Sequence, residues 1–325
     1  MPANLSPEYH RAEERLRAAK SLSEKIDALE EMLRVIPKHK GTDHMQADLK
    51  SRIAKLRKEG GKKGGKGGFS YIIPREGAGQ VALAGPPNTG KSSLVRALTR
   101  ATPAVGDFPF TTREPIPGMM PFEDIAFQLV DLPPLSEQHA EPWVFDLIRY
   151  ADLVWAVLDG ERAIEGFDEC RRVLEAHNIG LYPAGTAPRY DTAAVQKKAL
   201  VVLTGLDVAG VAETIPVVEE LLENRWRVIG VSSLDGTGLA NLARSTFAAF
   251  DIIRVYTKQP GKPRDESAPF ALPRGATVGV LAERIHKDLA ATMTFARVWG
   301  ASAFDGQSVQ KDHVLAEGDV VEIHE

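Results

Sequence analysis

The chain has 325 residues, of which 43% are hydrophobic and 26% charged, and its formal net charge is −4. This composition is ordinary for a soluble globular protein, and the length allows an α/β domain with one or two smaller modules. The sequence contains no apolar stretch near the roughly 18 residues that a membrane span needs and no apolar signal core at its start. The single cysteine, Cys170, excludes intramolecular disulfides and multi-cysteine zinc sites. We therefore expect a cytoplasmic protein without a membrane partner.

The N-terminal part, residues 1–59, is predicted to be a helical arm. Pro37 and Gly41 interrupt its helical pattern, which favours a helical hairpin. The apolar residues at helical spacing are Ile26, Leu29, Met32, Leu33, Leu49, Ile53 and Leu56. Residues 60–70 follow as a basic, glycine-rich linker. Residues 1–68 carry about 16 Lys and Arg against about 10 Asp and Glu, which fits either a polyanionic partner such as RNA or simply solvated helix faces.

The middle part, residues 71–250, alternates between short apolar runs and helical patterns. The predicted strands are Val81–Ala84, Ala126–Val130, Leu153–Leu158, Ala199–Leu203 and Arg227–Val231. The predicted helices lie near 92–100, 141–150, 163–177, 212–224 and 236–249. This alternation is typical of βαβ units, so the sequence predicts an α/β domain with a mainly parallel sheet.

The C-terminal part, residues 251–325, has a different pattern. Ile252–Tyr256, Phe295–Trp299 and Val320–Ile323 are predicted strands, and Thr277–Leu289 is predicted to be a single helix. Short strands around one helix in so few residues indicate a small α+β domain.

A glycine-rich motif follows the first predicted strand of the middle part. Gly85 to Ser92 reads GPPNTGKS and matches G-x-x-x-x-G-K-[ST] between a strand and a helix, which is the context that a P-loop requires. In such a loop, backbone N–H groups and the helix N-terminus bind phosphate oxygens. Lys91 is the predicted catalytic cation for the β- and γ-phosphates, and the Ser92 hydroxyl is a predicted magnesium ligand. The predicted phosphate-binding residues are Asn88, Thr89, Gly90, Lys91, Ser92 and Ser93.

Two further residues are candidates for the magnesium site. Asp131 ends the strand Ala126–Val130, where a P-loop protein carries its second magnesium-linked carboxylate. Thr112, in the sequence Phe110-Thr111-Thr112, lies in a proline-rich loop that is able to bring a hydroxyl to magnesium when a γ-phosphate is bound. Thr112 is therefore predicted to act both as a metal ligand and in catalysis.

The candidate base-binding residues follow two later strands. Asp207, in Thr204-Gly205-Leu206-Asp207, places a carboxylate where it can accept hydrogen bonds from N1–H and the 2-amino group of guanine, donors that adenine lacks. Ser232, Ser233 and Leu234 follow the last predicted strand, where a backbone N–H is expected to meet the guanine 6-oxo group. Because these residues and Thr204 all lie at the carboxyl ends of strands, they indicate one nucleotide site.

In order and spacing, these motifs resemble the Obg superfamily of GTPases, and most closely its branch of developmentally regulated GTP-binding proteins. The resemblance extends over nearly the whole chain, and the C-terminal part resembles a TGS domain. The segments that carry it are Asn4–Tyr9, Pro37–Thr42, Phe110–Thr112, Pro117–Gly118, Ile253–Lys258, Ile285–Leu289, Val298–Gly300 and Lys311–His313. The resemblance implies a ubiquitin-like β-grasp fold at the C-terminus, GTP or GDP and magnesium as ligands, and RNA, ribosomal or protein partners.

Two positions depart from the family pattern, and a third, Leu135, departs from Ras-type GTPases as the family itself usually does. Where the family has D-x-P-G, this chain has Pro134, which lacks the backbone N–H that glycine offers to the γ-phosphate. Where the family has N-K-x-D, Gly205 removes the lysine stem that packs over the base. Leu135 occupies the position of the water-positioning glutamine in Ras-type GTPases, which implies slow hydrolysis. Asn88 is a candidate potassium ligand.

Two functions therefore remain open. The first is a slow, magnesium-dependent GTPase that acts as a switch on the ribosome or RNA. The second is a nucleotide-binding adaptor with little or no hydrolysis, which Pro134 and Gly205 favour. A P-loop kinase is a weaker third hypothesis, since it leaves the guanine-selecting Asp207 unexplained.

Overall fold

A computed structural model describes residues 73–99, 115–136, 140–188, 194–264 and 269–325, with isolated residues between 9 and 52. The chain divides into two compact units, Met1–Gly68 and Phe69–Glu325. In the first unit nearly all described residues are helical. Its buried cluster consists of Tyr9, Leu29, Met32, Ile36 and Leu49. The predicted linker 60–70 and the segment Phe110–Thr112 lie outside the described residues.

The first sheet of the second unit has seven strands. They are β1 (Gln80–Ala84), β2 (Ile116–Phe122), β3 (Ile125–Asp131), β4 (Leu153–Asp159), β5 (Ile179–Pro183), β6 (Val195–Thr204) and β7 (Val228–Gly230). The order across the sheet is β2-β3-β1-β4-β6-β5, and β7 pairs with β6. Only the β2–β3 pairing is antiparallel, so the predicted mainly parallel α/β sheet is confirmed.

Five helices accompany this sheet in the described part of the chain. They are α1 (Lys91–Leu98), α2 (Pro142–Tyr150), α3 (Ala163–Ala176), α4 (Val211–Leu221) and α5 (Leu239–Phe250), numbered from Lys91 onward. Strand β1 shows how they cover both faces of the sheet. Val81 and Leu83 pack with residues of α1 and α5, whereas Ala82 and Ala84 pack with residues of α2 and α3. Burial on both faces explains the continuous apolar runs of the central strands.

Strands β2 and β5 are absent from the sequence prediction. β2 reads IPGMMPF and contains Pro117, Gly118 and Pro121, residues that normally argue against a strand. It forms because β2 is an edge strand that pairs only with β3, over the register from Ile116–Asp131 to Phe122–Ile125. An edge position tolerates proline, because one side of the strand needs no N–H donors.

The second sheet of this unit lies in the C-terminal part. Its strands are β8 (Ile252–Thr257), β9 (Phe270–Pro273), β10 (Phe295–Trp299), β11 (Gln307–Val309) and β12 (Val320–His324). The order is β11-β10-β12-β8-β9, and only β12 and β8 run parallel. Apolar side chains of this sheet pack against Val278, Leu281 and Ala282 of a helix that covers one face. The predicted α+β domain is therefore confirmed.

The prediction of one continuous helix over Thr277–Leu289 is wrong. The structure has two helices, α6 (Val278–Ile285) and α7 (Lys287–Thr292), with His286 between them in an extended conformation. The Nδ1 atom of His286 accepts a hydrogen bond of 3.2 Å from the backbone N of Asp288. A local side-chain acceptor of this kind begins a new helix and competes with continuation of the first.

The two sheets contact each other at the tip of the β2–β3 hairpin. Arg254 of β8 bonds to Glu123 and Asp124 of the tip and also to Glu317. Tyr256 donates a hydrogen bond to Asp124. Helix α5 ends at Phe250 and β8 begins at Ile252, so a single residue, Asp251, connects the parts that carry the two sheets.

No helix among the described residues is long and apolar enough to cross a membrane.

Candidate functional site

The predicted P-loop connects β1 to α1. Asn88 and Gly90 both have left-handed backbone conformations, with φ of 62° and 76°, and Gly90 directly precedes the helix. Gly85 has a different constraint, because an added Cβ would lie 2.2 Å from the carbonyl oxygen of Val157 on β4. The loop therefore curls tightly against the sheet edge, with the N-terminus of α1 facing the space that it encloses. This is the arrangement that binds phosphate oxygens.

Lys91 is directed into the P-loop itself. Its side chain is buried, and Nζ donates hydrogen bonds to the carbonyl oxygens of Gly85 at 3.0 Å and Pro86 at 2.6 Å and to the Thr89 hydroxyl at 3.3 Å. Burial lowers the Lys91 pKa to about 8, although the charge of Asp131 opposes the shift. A buried ammonium group whose partners are mostly neutral carbonyls is poised to gain from an anionic ligand.

Asp131 lies at the carboxyl end of β3, next to the P-loop strand. β1 and β3 run parallel and pair Leu83 with Asp131, so both strands end at the same edge of the sheet. Burial raises the Asp131 pKa, while a hydrogen bond from Ser92 and the charges of Lys91 and Arg96 offset part of the rise. One carboxylate oxygen, Oδ1, is buried without a hydrogen-bond partner among the described residues. An orphaned buried carboxylate oxygen beside a serine hydroxyl suits a divalent cation, so the residues present fit magnesium.

The segment after Asp131 packs back onto the P-loop. The backbone N of Leu135 donates a hydrogen bond of 3.0 Å to the carbonyl oxygen of Gly85. The Leu135 side chain is completely buried in the cluster that includes Trp143 and Val144. The residue at the position of the Ras-type glutamine, Leu135, is therefore apolar and its side chain faces the core.

Thr204 ends β6 next to the P-loop. Its hydroxyl lies 3.0 Å from the carbonyl oxygen of Thr89 and 3.0 Å from that of Leu158 on β4, so it joins the P-loop to the sheet. Gly205 follows in a left-handed conformation with φ of 80°, and Asp207 is exposed two residues later. The structure thus directs Thr204 toward the backbone of the phosphate loop, whereas Asp207 remains accessible to a base.

The loop after β7 supplies the other predicted base contacts. Ser232 is fully buried, and its Oγ accepts hydrogen bonds from the backbone N of Leu234 at 3.2 Å and of Asp235 at 3.3 Å. Ser233 is half-buried, and the Leu234 side chain is 83% exposed. The backbone N of Leu206 donates to the carbonyl oxygen of Val231, which joins this loop to the Asp207 segment. The two base-binding segments are therefore neighbours.

The structure brings most of the predicted site residues to one edge of the sheet. Thr112 lies outside the described residues. The sequence patterns do not predict the backbone bond between Leu135 and Gly85 or the Arg254 contacts with the β2–β3 hairpin. No motif marks a backbone bond or an ion pair between two sheets, so the sequence contains no signal for either.

Comparisons with known proteins agree with this geometry. Residues 80–182 match the protein family described as "50S ribosome-binding GTPase", and residues 253–325 match the TGS domain. "GTP-binding protein 1" of Schizosaccharomyces pombe is 28% identical over 92% of this chain and 98% of its own length. "Developmentally-regulated G-protein 3" of Arabidopsis thaliana is 27% identical over 93% of this chain and 98% of its own length.

A solved structure supports the fold. The "GTP binding protein from Pyrococcus horikoshii OT3" superposes with a TM-score of 0.51, covering 75% of this chain and 99% of its own, at 17% sequence identity. The chain therefore contains a P-loop GTPase domain followed by a TGS domain, and over most of its length it is similar to the developmentally regulated GTP-binding proteins.

Proposed function

We propose that this protein binds GTP and GDP at the Gly85–Ser93 loop and hydrolyses GTP slowly with magnesium. The observation that carries the proposal is the pairing of a buried lysine, held by carbonyl oxygens, with a buried carboxylate that has an orphaned oxygen. Both groups lie at the edge of the sheet where the P-loop meets the N-terminus of α1. A magnesium–nucleotide complex would give the Lys91 ammonium group an anionic partner. It would also give the orphaned Asp131 oxygen a cation to bind.

The proposed roles follow from position. Lys91 would leave the P-loop carbonyls for the β- and γ-phosphates, and Asn88 to Ser93 would donate backbone N–H groups. Ser92, Asp131 and Thr112 would hold magnesium, whose chemistry is to neutralise charge on the transferring phosphoryl group. Thr204 would hold the P-loop in place through Thr89. Potassium at Asn88 remains a separate proposal, tested by comparing turnover in potassium and sodium salts.

Guanine selection would depend on Asp207. Its exposed carboxylate can accept two hydrogen bonds from guanine, and Ser233 and Leu234 lie on the adjoining loop. We expect GTP and GDP to displace a fluorescent guanine nucleotide while ATP does not, and we expect Asp207→Asn to reduce this selectivity. Equal displacement by ATP from the unaltered protein would refute guanine selection at this site.

Hydrolysis is expected to be slow because Leu135 supplies an apolar, fully buried side chain where Ras-type GTPases position water. Single-turnover assays with and without ribosomes measure the rate. The buried Leu135 and the prolines before it also favour the second function, a nucleotide-binding adaptor without turnover. Measurable nucleotide affinity with no hydrolysis in either assay would select the adaptor.

We further propose that the protein acts on the ribosome or RNA in the cytoplasm. The contacts would be made by the N-terminal arm (1–59), the basic linker (60–70) and the C-terminal part (251–325). Residues 71–250 would form the nucleotide domain. The side of the second sheet that faces away from α6 supports an RNA contact. On it Lys258 Nζ lies 3.6 Å from the ring centroid of Trp299 and 3.0 Å from the Glu322 carboxylate, and Arg297 is exposed. Phe304, in the loop after β10, is 86% exposed. Aromatic and basic side chains together suit single-stranded RNA.

Binding of a labelled single-stranded RNA and co-sedimentation with ribosomes test this contact. We expect Arg297→Glu combined with Phe304→Ser to weaken binding, and the matched exposed substitution Val314→Ser to leave it unchanged. Equal loss in both variants would show that the effect is not specific to this surface.

A further inference from the structure

The loop that follows the candidate magnesium carboxylate has an unusual lack of free backbone donors. Pro133 and Pro134 have no N–H group. The N–H of Leu135 is already used, because it donates to the carbonyl oxygen of Gly85 at 3.0 Å. Over these three consecutive residues, therefore, the main chain offers no donor to an additional phosphate group.

The same loop is held in place at two points. The Gly85 carbonyl oxygen accepts from the Leu135 backbone and also, at 3.0 Å, from Lys91 Nζ. The Leu135 side chain is 0% exposed. If Lys91 moves to a phosphate, the Leu135 bond to Gly85 remains, and any shift of the loop away from the P-loop would bring a fully buried leucine into water.

Gly85 itself has little freedom to follow such a shift. An added Cβ at this position would lie 2.2 Å from the carbonyl oxygen of Val157, so its main chain lies directly against β4. The loop is thus bonded to a point of the P-loop that the sheet holds from the other side. A segment fixed in this way is suited to form a wall of the site and poorly suited to move with the nucleotide state.

We propose that Leu132–Leu135 is a fixed wall of the phosphate site that does not respond to a γ-phosphate, so that the protein binds GDP and GTP with similar affinity. The inference rests on the proposed binding of guanine nucleotides. It implies that this side of the site does not distinguish a diphosphate from a triphosphate. Any response to the third phosphate then has to come from another segment, such as the one that contains Thr112.

Hydrogen exchange tests the fixed wall directly. Leu132 and Leu135 carry the only backbone amides in the stretch 132–135, so exchange in this stretch reports on just two amides, one of which is the donor of the Gly85 bond. We expect the Leu135 amide of the full-length protein to exchange equally slowly without nucleotide, with GDP and with a non-hydrolysable GTP analogue. A change of about tenfold or more between GDP and the analogue would overturn the proposal.

Measurements of nucleotide affinity test the effect of the backbone N–H that Pro134 lacks. We expect dissociation constants for GDP and the GTP analogue within about threefold of each other, and we expect Pro134→Gly to favour the analogue by about tenfold, since it restores an N–H that can bond to a charged oxygen. Pro121→Gly, at an exposed proline of β2, is the matched control for added chain flexibility. A tenfold preference for the analogue in the unaltered protein, or an unchanged ratio in Pro134→Gly, would contradict the proposal.

The two proposals fail in different ways. If neither nucleotide binds, guanine-nucleotide binding is refuted, and protection of the Leu135 amide in the free protein still decides whether the wall is fixed. If both bind but the analogue is strongly preferred, nucleotide binding stands and the fixed wall is refuted.

Discussion

At the scale of single residues, the buried ammonium group of Lys91 makes the stability of the protein depend on pH. Its pKa is lowered from 10.5 to about 8 in the folded state, mainly by burial. Between these two values the unfolded chain binds more protons than the folded one, so the free energy of unfolding rises as pH increases from about 8 to about 10.5. The full effect of such a shift is on the order of 3 kcal/mol.

This prediction is tested by urea unfolding of the nucleotide-free protein at pH 7.5 and pH 10. We expect the unaltered protein to gain stability relative to Lys91→Met between these two pH values, because the variant lacks the titrating group. Lys262→Met, at an exposed lysine, is the control. Parallel pH profiles for the unaltered protein and Lys91→Met would show that burial of Lys91 has no such cost.

Two glycines of the P-loop are expected to respond differently to alanine. At Gly90 the nearest atom to an added Cβ lies 3.6 Å away, so the cost is only that of the left-handed backbone, about 1–2 kcal/mol. At Gly85 the added Cβ would meet a main-chain oxygen, and the loop or β4 has to move. We therefore expect Gly85→Ala to lower the free energy of unfolding more than Gly90→Ala, as measured by denaturant titration. Equal costs would show that the loop adjusts freely.

At the scale of structural elements, strand β6 positions the P-loop through Thr204. We expect Thr204→Val to lower the free energy of unfolding by about 1 kcal/mol, because the variant keeps the shape but loses the hydrogen bond between β6, β4 and the loop. Affinity for GDP should fall as well, since Thr89 is no longer held. Thr204→Ser, which keeps the hydroxyl, is the matched control, and equal GDP affinity in both variants would argue against a positioning role.

How far the sequence predicts an element depends on where its determinants lie. The P-loop is predictable because glycines and a lysine at fixed spacing are themselves the requirement for phosphate binding, and β1 and β4 are predictable because both faces are buried. β2 is missed, since its prolines are acceptable only at the edge of a sheet. The break at His286 is missed because a single side-chain bond decides between one helix and two. The Leu135–Gly85 bond involves only the main chain and depends on the completed fold.

At the scale of the whole molecule, Arg254 joins the second sheet to the hairpin of the first. Burial opposes its charge, but bonds to Glu123, Glu317 and Asp124 outweigh burial and raise the Arg254 pKa. The Asp124 pKa is lowered, because hydrogen bonds from Tyr256 and Arg254 outweigh the opposite effect of burial. Asp124 therefore contributes stability above its unfolded pKa and loses that contribution as pH falls through the lowered value.

We expect Arg254→Met to lower the free energy of unfolding by about 2 kcal/mol, because three carboxylates lose a shared, largely buried partner. A double-mutant cycle with Asp124→Asn measures the part that belongs to the contact between the sheets. Arg274→Met, which removes an exposed pair with Asp251, is the matched control and should cost little. Additive effects of Arg254→Met and Asp124→Asn would refute coupling across this contact.

The one-residue junction at Asp251 has a consequence for how the protein can be divided. Phe250 at the end of α5 stacks on Phe127 of β3, and Phe247 stacks on Phe122 of β2. Arg254, just beyond the junction, lies over the ring of Phe247. A chain cut after residue 250 would keep these four rings but leave Phe247 without the guanidinium that covers it and the hairpin tip with two unmatched carboxylates. The fragment would expose more of the Phe247 ring and would lose the stability that Asp124 contributes above its unfolded pKa, so the smallest piece of this unit worth isolating includes the TGS domain.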